Sequence, residues 1–211
     1  MVLLRDPHEP ENGQALTRRE RRKLEVQNKI CKAAVELFES IGVEDTTVEE
    51  ICERADVARK TFYNYYPSKQ ELIRALCDTQ LFSRTEAVLR DVVDRQLPTS
   101  KSIHAYLEQL QEDLSHYGKI DRILIREAML DASPDSRATE HFTQLMGMFS
   151  ELIARGQSAG DVKKDFTSDF YAEVILSVIN GSMTAWMAHE AYPVNERLSS
   201  IADYLADSIC C

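Results

Sequence analysis

The feature that most constrains the fold is a pair of short helical segments joined by a tight corner. The first runs DTTVEEICERA, where Thr46 and Thr47 are each followed three residues later by a glutamate, so either threonine can anchor a capping box. Asp56 and Val57 then form the corner, and ARKTFYNYY follows as the second segment, with Phe62 available for the interior. Two short helices joined by a turn of about three residues outline a helix-turn-helix.

A long amphipathic helix precedes this pair. From Thr17 the sequence places apolar residues on one helical face, between Ile30 and Ile41, and it ends at Gly42, which suits a helix stop. Residues 1–16 carry Pro, Gly and charges without periodicity, so we predict a flexible arm there. The helix begins with a basic run of Arg18, Arg19, Arg21, Arg22 and Lys23.

The rest of the chain also has helical patterns. A capping box at Ser68 and Glu71 starts a helix that we predict from Lys69 to Arg95 and expect to link two domains. Five further helices follow, separated by Gly, Pro or Ser-Pro. Their approximate bounds are Ser102–Tyr117, Lys119–Asp131, Asp135–Ala159, Ser168–Ala191 and Val194–Ser208.

We therefore predict an all-α fold of about nine helices, with a helix-turn-helix domain over residues 17–70 and a second helical domain over residues 71–211. A composition of 44% hydrophobic and 28% charged residues, with only 7 Gly and 6 Pro, agrees with packed helices. The net charge of −10 argues against sequence-independent coating of nucleic acid, although it permits a local basic face.

Composition also narrows the class of protein. The 5 cysteines include no CxxC pair and the 5 histidines have no ligand spacing, so we expect no disulfide framework, metal site or cofactor. Phosphate-binding glycine loops and the HExxH and GxSxG motifs are missing, so we do not expect an enzyme. The chain lacks a run of about 20 apolar residues and a basic, then apolar beginning, so we expect a cytoplasmic protein.

The second short helix carries side chains that suit binding in a DNA major groove. There, polar side chains contact base edges, and hydrogen-bond donors or cations contact phosphates. Arg59, Lys60 and Thr61 are the candidates for base edges, and the tyrosine hydroxyls suit phosphates. Thr47 and Lys69 stand at helix N-termini, where the helix dipole favours a phosphate. The predicted DNA-binding residues are Arg18, Arg19, Arg22, Thr47, Arg59, Lys60, Thr61, Tyr63, Asn64, Tyr65 and Lys69.

Two interpretations of the basic run stay open. Cations at the positive end of a helix are electrostatically unfavourable there, which suggests that a DNA phosphate or a minor groove stabilises them. The alternative is a solvated helix start with no partner.

The order and spacing of residues between Ala33 and Leu72 resemble the DNA-binding domain of the TetR family of regulators. The matching residues are Phe38, Gly42, Thr47, Ile51, the turn at residues 55–61, Phe62, Tyr63, Tyr66, Lys69 and Leu72. Three positions depart from the family pattern: Asp56 replaces a glycine, Ala58 replaces a serine cap and Lys60 replaces a glycine. Asp tolerates the left-handed conformation, so we expect the turn to survive, but the recognised DNA sequence is not predictable.

The resemblance implies a C-terminal domain that binds a small molecule between its helices and dimerises through its last two long helices. The predicted dimer residues are Tyr171, Val174, Ile175, Val178, Ser182, Ala185, Leu198, Ile201, Ala202 and Leu205. The candidate effector-pocket residues are Tyr106, Gln109, Leu110, Ile123, Arg126, Met129, Phe142, Met146, Phe149, Ile179, Asn180, Met183 and Trp186, with His189 as a further polar group. Such aromatic and Met residues more often form core, and a pocket built from them favours a hydrophobic effector.

The expected function is a repressor that binds a palindromic operator as a homodimer and is released by a small effector. Effector binding would move the helix from Lys69 to Arg95 and change the spacing of the two recognition helices. Two alternatives stay open: an activator, or a DNA-bound protein on the same fold that recruits a protein partner without sensing a ligand.

Overall fold

The computed structural model describes residues 17–78, 82–129 and 136–211, and the predicted arm at residues 1–16 lies outside them. Within the described ranges the chain forms ten α-helices and no strand, which confirms the all-α prediction. The helices are α1 (Arg18–Ile41), α2 (Val48–Ala55), α3 (Arg59–Tyr65), α4 (Lys69–Cys77), α5 (Ser83–Asp94), α6 (Thr99–Ser115), α7 (Lys119–Met129), α8 (Arg137–Ala159), α9 (Ser168–Ala188) and α10 (Val194–Ile209).

The structure has two helices, α4 and α5, where the sequence predicts one from Lys69 to Arg95. Residues 79–81 between them lie outside the described part of the chain. The stretch from Ala75 to Ser83 contains neither Gly nor Pro, so the sequence has no signal of a division there. This difference accounts for ten helices in place of about nine.

The chain forms two compact units. The first comprises residues 1–80 and 117–128, which include α1 to α4 and most of α7; the second comprises residues 81–116 and 129–211. The chain therefore passes between the units three times. The predicted boundary at residue 70 separates two functional domains, whereas these two units are defined by contacts within the chain. The predicted boundary therefore stays a prediction.

The first unit is built on apolar side chains from four helices. Phe38, Ile51, Phe62 and Leu72 come from α1 to α4 in turn, and each is at most 1% exposed. Burying a side chain of this kind contributes about 1.5–3 kcal/mol. Helix α7 is bonded to α4, because the Cys77 thiol donates to the carbonyl of Leu124 at 3.1 Å.

In the second unit α8 packs on α9 and α6 packs on α10. The Tyr106 ring meets the Phe149 ring edge-on, with centroids 5.3 Å apart. At Gly156 an added Cβ would lie 2.2 Å from Thr99 Oγ1, so only glycine allows this close approach. Thr99 in turn donates its backbone N–H (2.9 Å) and its hydroxyl (3.0 Å) to the Asp161 carboxylate.

None of the described helices has both the length and the apolar character needed to cross a membrane.

Candidate nucleic-acid interface

A capping box fixes the start of α2. Thr47 is the N-cap: its hydroxyl accepts from the backbone N–H of Glu50 at 3.2 Å, and the Glu50 carboxylate accepts from the backbone N–H of Thr47 at 2.8 Å. The backbone and hydroxyl bonds from Thr47 hold the pKa of Glu50 below its ordinary value. Of the two candidate threonines, Thr46 is buried and donates to the Gly42 carbonyl at 2.7 Å instead.

This geometry bears on the phosphate contact of Thr47, which stays a prediction. Both the hydroxyl and the backbone N–H of Thr47 are bound to Glu50, so a phosphate contact through these groups requires the capping box to open.

The turn between α2 and α3 forms as expected. Asp56 has φ 54° and ψ 52°, the left-handed conformation in which Asp is better tolerated than most residues. Its corner is closed by the Val57 N–H, which donates to the Cys52 carbonyl at 3.0 Å. The expected loss at Ala58 is also confirmed, because the start of α3 has no side-chain cap.

Helix α3 divides into a buried and an exposed face. Phe62 is fully buried and fixes the helix on the first unit, with its ring edge-on to Tyr63 at 5.5 Å between centroids. Arg59, Lys60, Tyr63 and Asn64 are exposed, and their spacing places them on one side of the helix. Thr61 and Tyr65, also predicted to bind DNA, are half-buried.

The structure adds Glu49 to this surface, which was not predicted from the sequence. Arg59, the first residue of α3, forms an ion pair with Glu49 of α2. Both side chains are largely exposed, at 61% and 50%. The positive N-terminus of a helix disfavours a cation, and the Glu49 carboxylate offsets this at Arg59.

Lys69 is the first residue of α4, as expected, but its ammonium is already bonded, so the phosphate contact stays a prediction. Its ammonium donates to three carbonyls of the segment between α1 and α2: Val43 at 2.7 Å, Thr46 at 2.9 Å and Glu44 at 3.3 Å. An ammonium has three donors, so these bonds use all of them. Lys69 therefore stabilises the segment that leads into the helix-turn-helix.

The basic residues Arg18, Arg19 and Arg22 are exposed on the first turns of α1. Thr17 caps this helix, and the Glu20 carboxylate accepts from the Thr17 N–H at 2.8 Å. An acid thus already lies at the positive end of the helix, which weakens the case that DNA is needed to stabilise the basic run.

The candidate effector residues are distributed over both units. Ile123 and Arg126 belong to the first unit and the others to the second. The buried candidates are Tyr106, Leu110, Phe149, Ile179, Met183 and Trp186; the half-buried ones are Gln109, Ile123, Met146 and Asn180; Arg126, Met129, Phe142 and His189 are exposed. The Gln109 amide donates to Glu112 at 3.1 Å and to Asp113 at 3.2 Å.

Most of the predicted dimer residues are buried within the protomer itself. The buried ones are Tyr171, Ile175, Ser182, Leu198, Ala202 and Leu205, none more than 7% exposed. In this conformation these side chains offer little surface to a second copy, and their place in a dimer interface stays a prediction. The half-buried residues Val174, Val178, Ala185 and Ile201 keep exposed surface.

Among the described residues, no group of three or more His, Cys, Asp or Glu side chains is placed to hold a metal ion.

Comparison with known proteins supports a DNA-binding role for this segment. The family model of the bacterial regulatory proteins of the tetR family matches residues 30–76. These residues include the second half of α1, the helix-turn-helix of α2 and α3, and most of α4. This match identifies the helix-turn-helix segment as one of the TetR type. One relative, the HTH-type transcriptional repressor KstR of Mycobacterium tuberculosis (strain ATCC 25618 / H37Rv), is 27% identical over 180 residues, covering 82% of this chain and 74% of KstR. The protein is a DNA-binding transcriptional regulator.

Solved structures of TetR-like repressors share the fold over most of the chain. SmeT, the repressor of the Stenotrophomonas maltophilia multidrug efflux pump SmeDEF, aligns with a TM-score of 0.71 and 18% identity, covering 88% of this chain and 90% of SmeT. Thermus thermophilus FadR, a TetR-family repressor in complex with lauroyl-CoA, aligns with a TM-score of 0.62 and 23% identity, covering 85% of this chain and 92% of FadR.

The second unit contains a buried polar cluster that was not predicted from the sequence. The Glu86 carboxylate of α5 accepts from His141 Nδ1 at 2.7 Å and lies 2.9 Å from Arg137 Nη2, both on α8. The His141 ring stacks on Phe82 with centroids 4.6 Å apart, and His141 Nε2 lies 3.3 Å from Thr85 Oγ1. The cluster bonds α5 to the start of α8.

Proposed function

We propose that the chain is a repressor that binds a palindromic operator as a homodimer through α3 and is released by a small, largely hydrophobic effector. The observation that carries the proposal is the exposed face of α3, with Arg59, Lys60, Tyr63 and Asn64 opposite the fully buried Phe62. A helix anchored by one face presents the other to a major groove, where Arg reads guanine edges and polar groups bind phosphates.

The proposed dimer uses the outward faces of α9 and α10. On α9 the half-buried Val174, Val178 and Ala185 alternate with exposed small residues, Ser177 and Gly181. Small side chains allow two helices to approach closely. A two-fold dimer presents two recognition helices, which matches two operator half-sites one helical turn apart.

An apolar effector suits the second unit, where the buried candidates include aromatic and aliphatic side chains such as Tyr106, Phe149 and Ile179. FadR, a structural neighbour, binds lauroyl-CoA. We propose that effector binding is transmitted through the chain between α4 and α5, since α4 belongs to the first unit and α5 to the second. The protein would act in the cytoplasm, where the operator is found.

The first test is selection of bound fragments from a random DNA pool at a fixed physiological salt concentration. The wild type is compared with the double variant Arg59→Ala/Lys60→Ala and with Lys101→Ala/Lys164→Ala, which removes the same charge from exposed positions of the second unit. We expect a palindromic site that the wild type and the control enrich and that the α3 variant loses. A folded dimer that enriches no site would favour the alternative of a partner-recruiting protein.

The second test asks whether a ligand weakens operator binding. Lauroyl-CoA serves as the first probe, and coenzyme A without an acyl chain is its matched control. Lauroyl-CoA should lower operator affinity and coenzyme A should not, because only the acyl chain supplies apolar surface. If a broader set of hydrophobic compounds also leaves operator affinity unchanged, the effector part of the proposal fails.

A further inference from the structure

We propose that Glu49 is a positioning residue for DNA recognition: its carboxylate holds the Arg59 guanidinium in the orientation that reads a base, and thereby sets sequence discrimination. This inference rests on the proposed function of α3. It assigns a task to an acidic residue, which would otherwise be expected only to repel DNA.

The geometry separates Glu49 from its neighbour. Glu49 and Glu50 both lie in the first turn of α2, but the Glu50 carboxylate is bound to the hydroxyl and backbone N–H of Thr47. The Glu49 carboxylate instead reaches across the turn to Arg59 of α3. Two adjacent glutamates thus do different things, one capping its own helix and the other contacting the recognition helix.

The contact leaves Arg59 able to read a base. A guanidinium has five N–H donors in a planar fork, and a bidentate contact with guanine uses two of them. The pair with Glu49 engages Nη2 of Arg59. Donors therefore remain for a base while the carboxylate restricts the plane in which they point.

Restriction matters at this position because little else fixes the side chain. Arg59 is the first residue of α3, its side chain is 61% exposed, and the preceding Ala58 makes no cap bond. A long side chain loses rotamer entropy when it binds, and a side chain already held in one orientation loses less. Pre-orientation strengthens binding only where the base accepts that geometry, so it increases discrimination.

Glu49 also affects non-specific binding, with the opposite sign. A carboxylate beside the DNA-binding face repels phosphates, and it neutralises one cation that would otherwise attract them. Removing its charge should therefore tighten binding to any DNA while weakening the preference for the correct sequence. This pair of opposite effects separates a positioning residue from simple charge repulsion.

The test measures the affinity of the selected operator, of operators with a substituted base pair at each half-site position, and of unrelated DNA. The proteins are the wild type, Glu49→Gln, Arg59→Ala and the double variant, with Glu53→Gln as the control that removes the same charge from an exposed position of the same helix. Thermal unfolding of each variant shows that it is folded.

For Glu49→Gln we expect about a fivefold loss of discrimination at the base pair that Arg59→Ala identifies, part of the range that a bidentate contact spans. We also expect Glu49→Gln to bind unrelated DNA roughly twofold more tightly. This gain in affinity should be smaller at higher salt. Glu53→Gln should reproduce only the second effect. In the Arg59→Ala background, Glu49→Gln should leave discrimination at that base pair unchanged.

Unchanged or improved discrimination by Glu49→Gln, at a base pair where Arg59→Ala loses it, would overturn the inference and leave the proposed function intact. A wild type that prefers no sequence would overturn the proposed function and the inference with it.

Discussion

A surface pair and an interior cluster of this protein both join a glutamate to an arginine, in opposite surroundings. In the first unit Glu49 pairs with Arg59 at the surface, between α2 and α3. In the second unit Glu86 pairs with Arg137 and His141 in the interior, between α5 and α8, and Glu86 is only 8% exposed. Each cluster joins two helices through a carboxylate, so the comparison isolates what solvent does to such a bond.

The difference follows from desolvation. Water screens the exposed pair, so it adds roughly 0–1 kcal/mol to stability, and its charges remain open to another partner. The interior cluster is largely shielded from water, so removal of the shared carboxylate breaks bonds that solvent does not readily replace, while Arg137 keeps a contact with Glu140 at 3.7 Å. The first arrangement suits a binding surface, whereas the second fixes how two helices pack.

The largest effect is expected for Glu86→Ala. Removal of the shared carboxylate leaves Arg137 and His141 without it and should lower the free energy of unfolding by about 3–5 kcal/mol. Urea unfolding of the full chain measures this value. The matched control is Asp91→Ala on the same helix, whose exposed pair with Arg95 should contribute under about 0.5 kcal/mol. Similar losses for both variants would contradict the comparison.

Lys69 is intermediate, since its ammonium is half-buried and bonded to three carbonyls. Lys69→Met keeps most of the apolar part of the side chain but removes these bonds, and we expect a loss of about 1.5–3 kcal/mol, as for hydrogen bonds to a charged group. Lys60→Met, at an exposed position of α3, should be close to neutral. A variant of unchanged stability but weaker DNA binding would instead restore Lys69 as a phosphate contact.

The sequence predicts those features that depend on neighbouring residues. The Thr47–Glu50 capping box, the left-handed Asp56 and the uncapped Ala58 each follow from a few adjacent positions, and the structure shows all three. Local chemistry of this kind fixes the helix-turn-helix, and the pattern of apolar residues fixes the all-α class.

Contacts between distant residues were not predictable in the same way. Glu86 and His141 are 55 positions apart, and no periodicity connects them. The dimer residues stay a prediction for the same reason, because an apolar stripe does not disclose whether Ile175 or Leu205 faces its own domain or a second copy. The Glu49–Arg59 contact joins residues only ten positions apart. It was still not predicted, because the direction of a surface carboxylate depends on the conformation of the turn between α2 and α3.

Local chemistry also predicts a gain. Ala58→Ser supplies the missing N-cap of α3 and should raise the free energy of unfolding by about 1 kcal/mol. Ala154→Ser, at an exposed position inside α8, is the control and should lower it by about 0.5 kcal/mol through helix propensity. If both substitutions have the same sign, the cap is not what limits α3.

The smallest effect on stability is expected at the position with the largest proposed effect on recognition. Glu49→Gln should change the free energy of unfolding by under about 0.5 kcal/mol, because both partners are exposed and screened. Unfolding measured at low and at high salt checks this, since screening reduces even that difference at high salt. A loss close to that of Glu86→Ala would mean that the Glu49–Arg59 pair holds α2 and α3 together, and the contrast between a surface kept open for DNA and an interior bond would no longer hold.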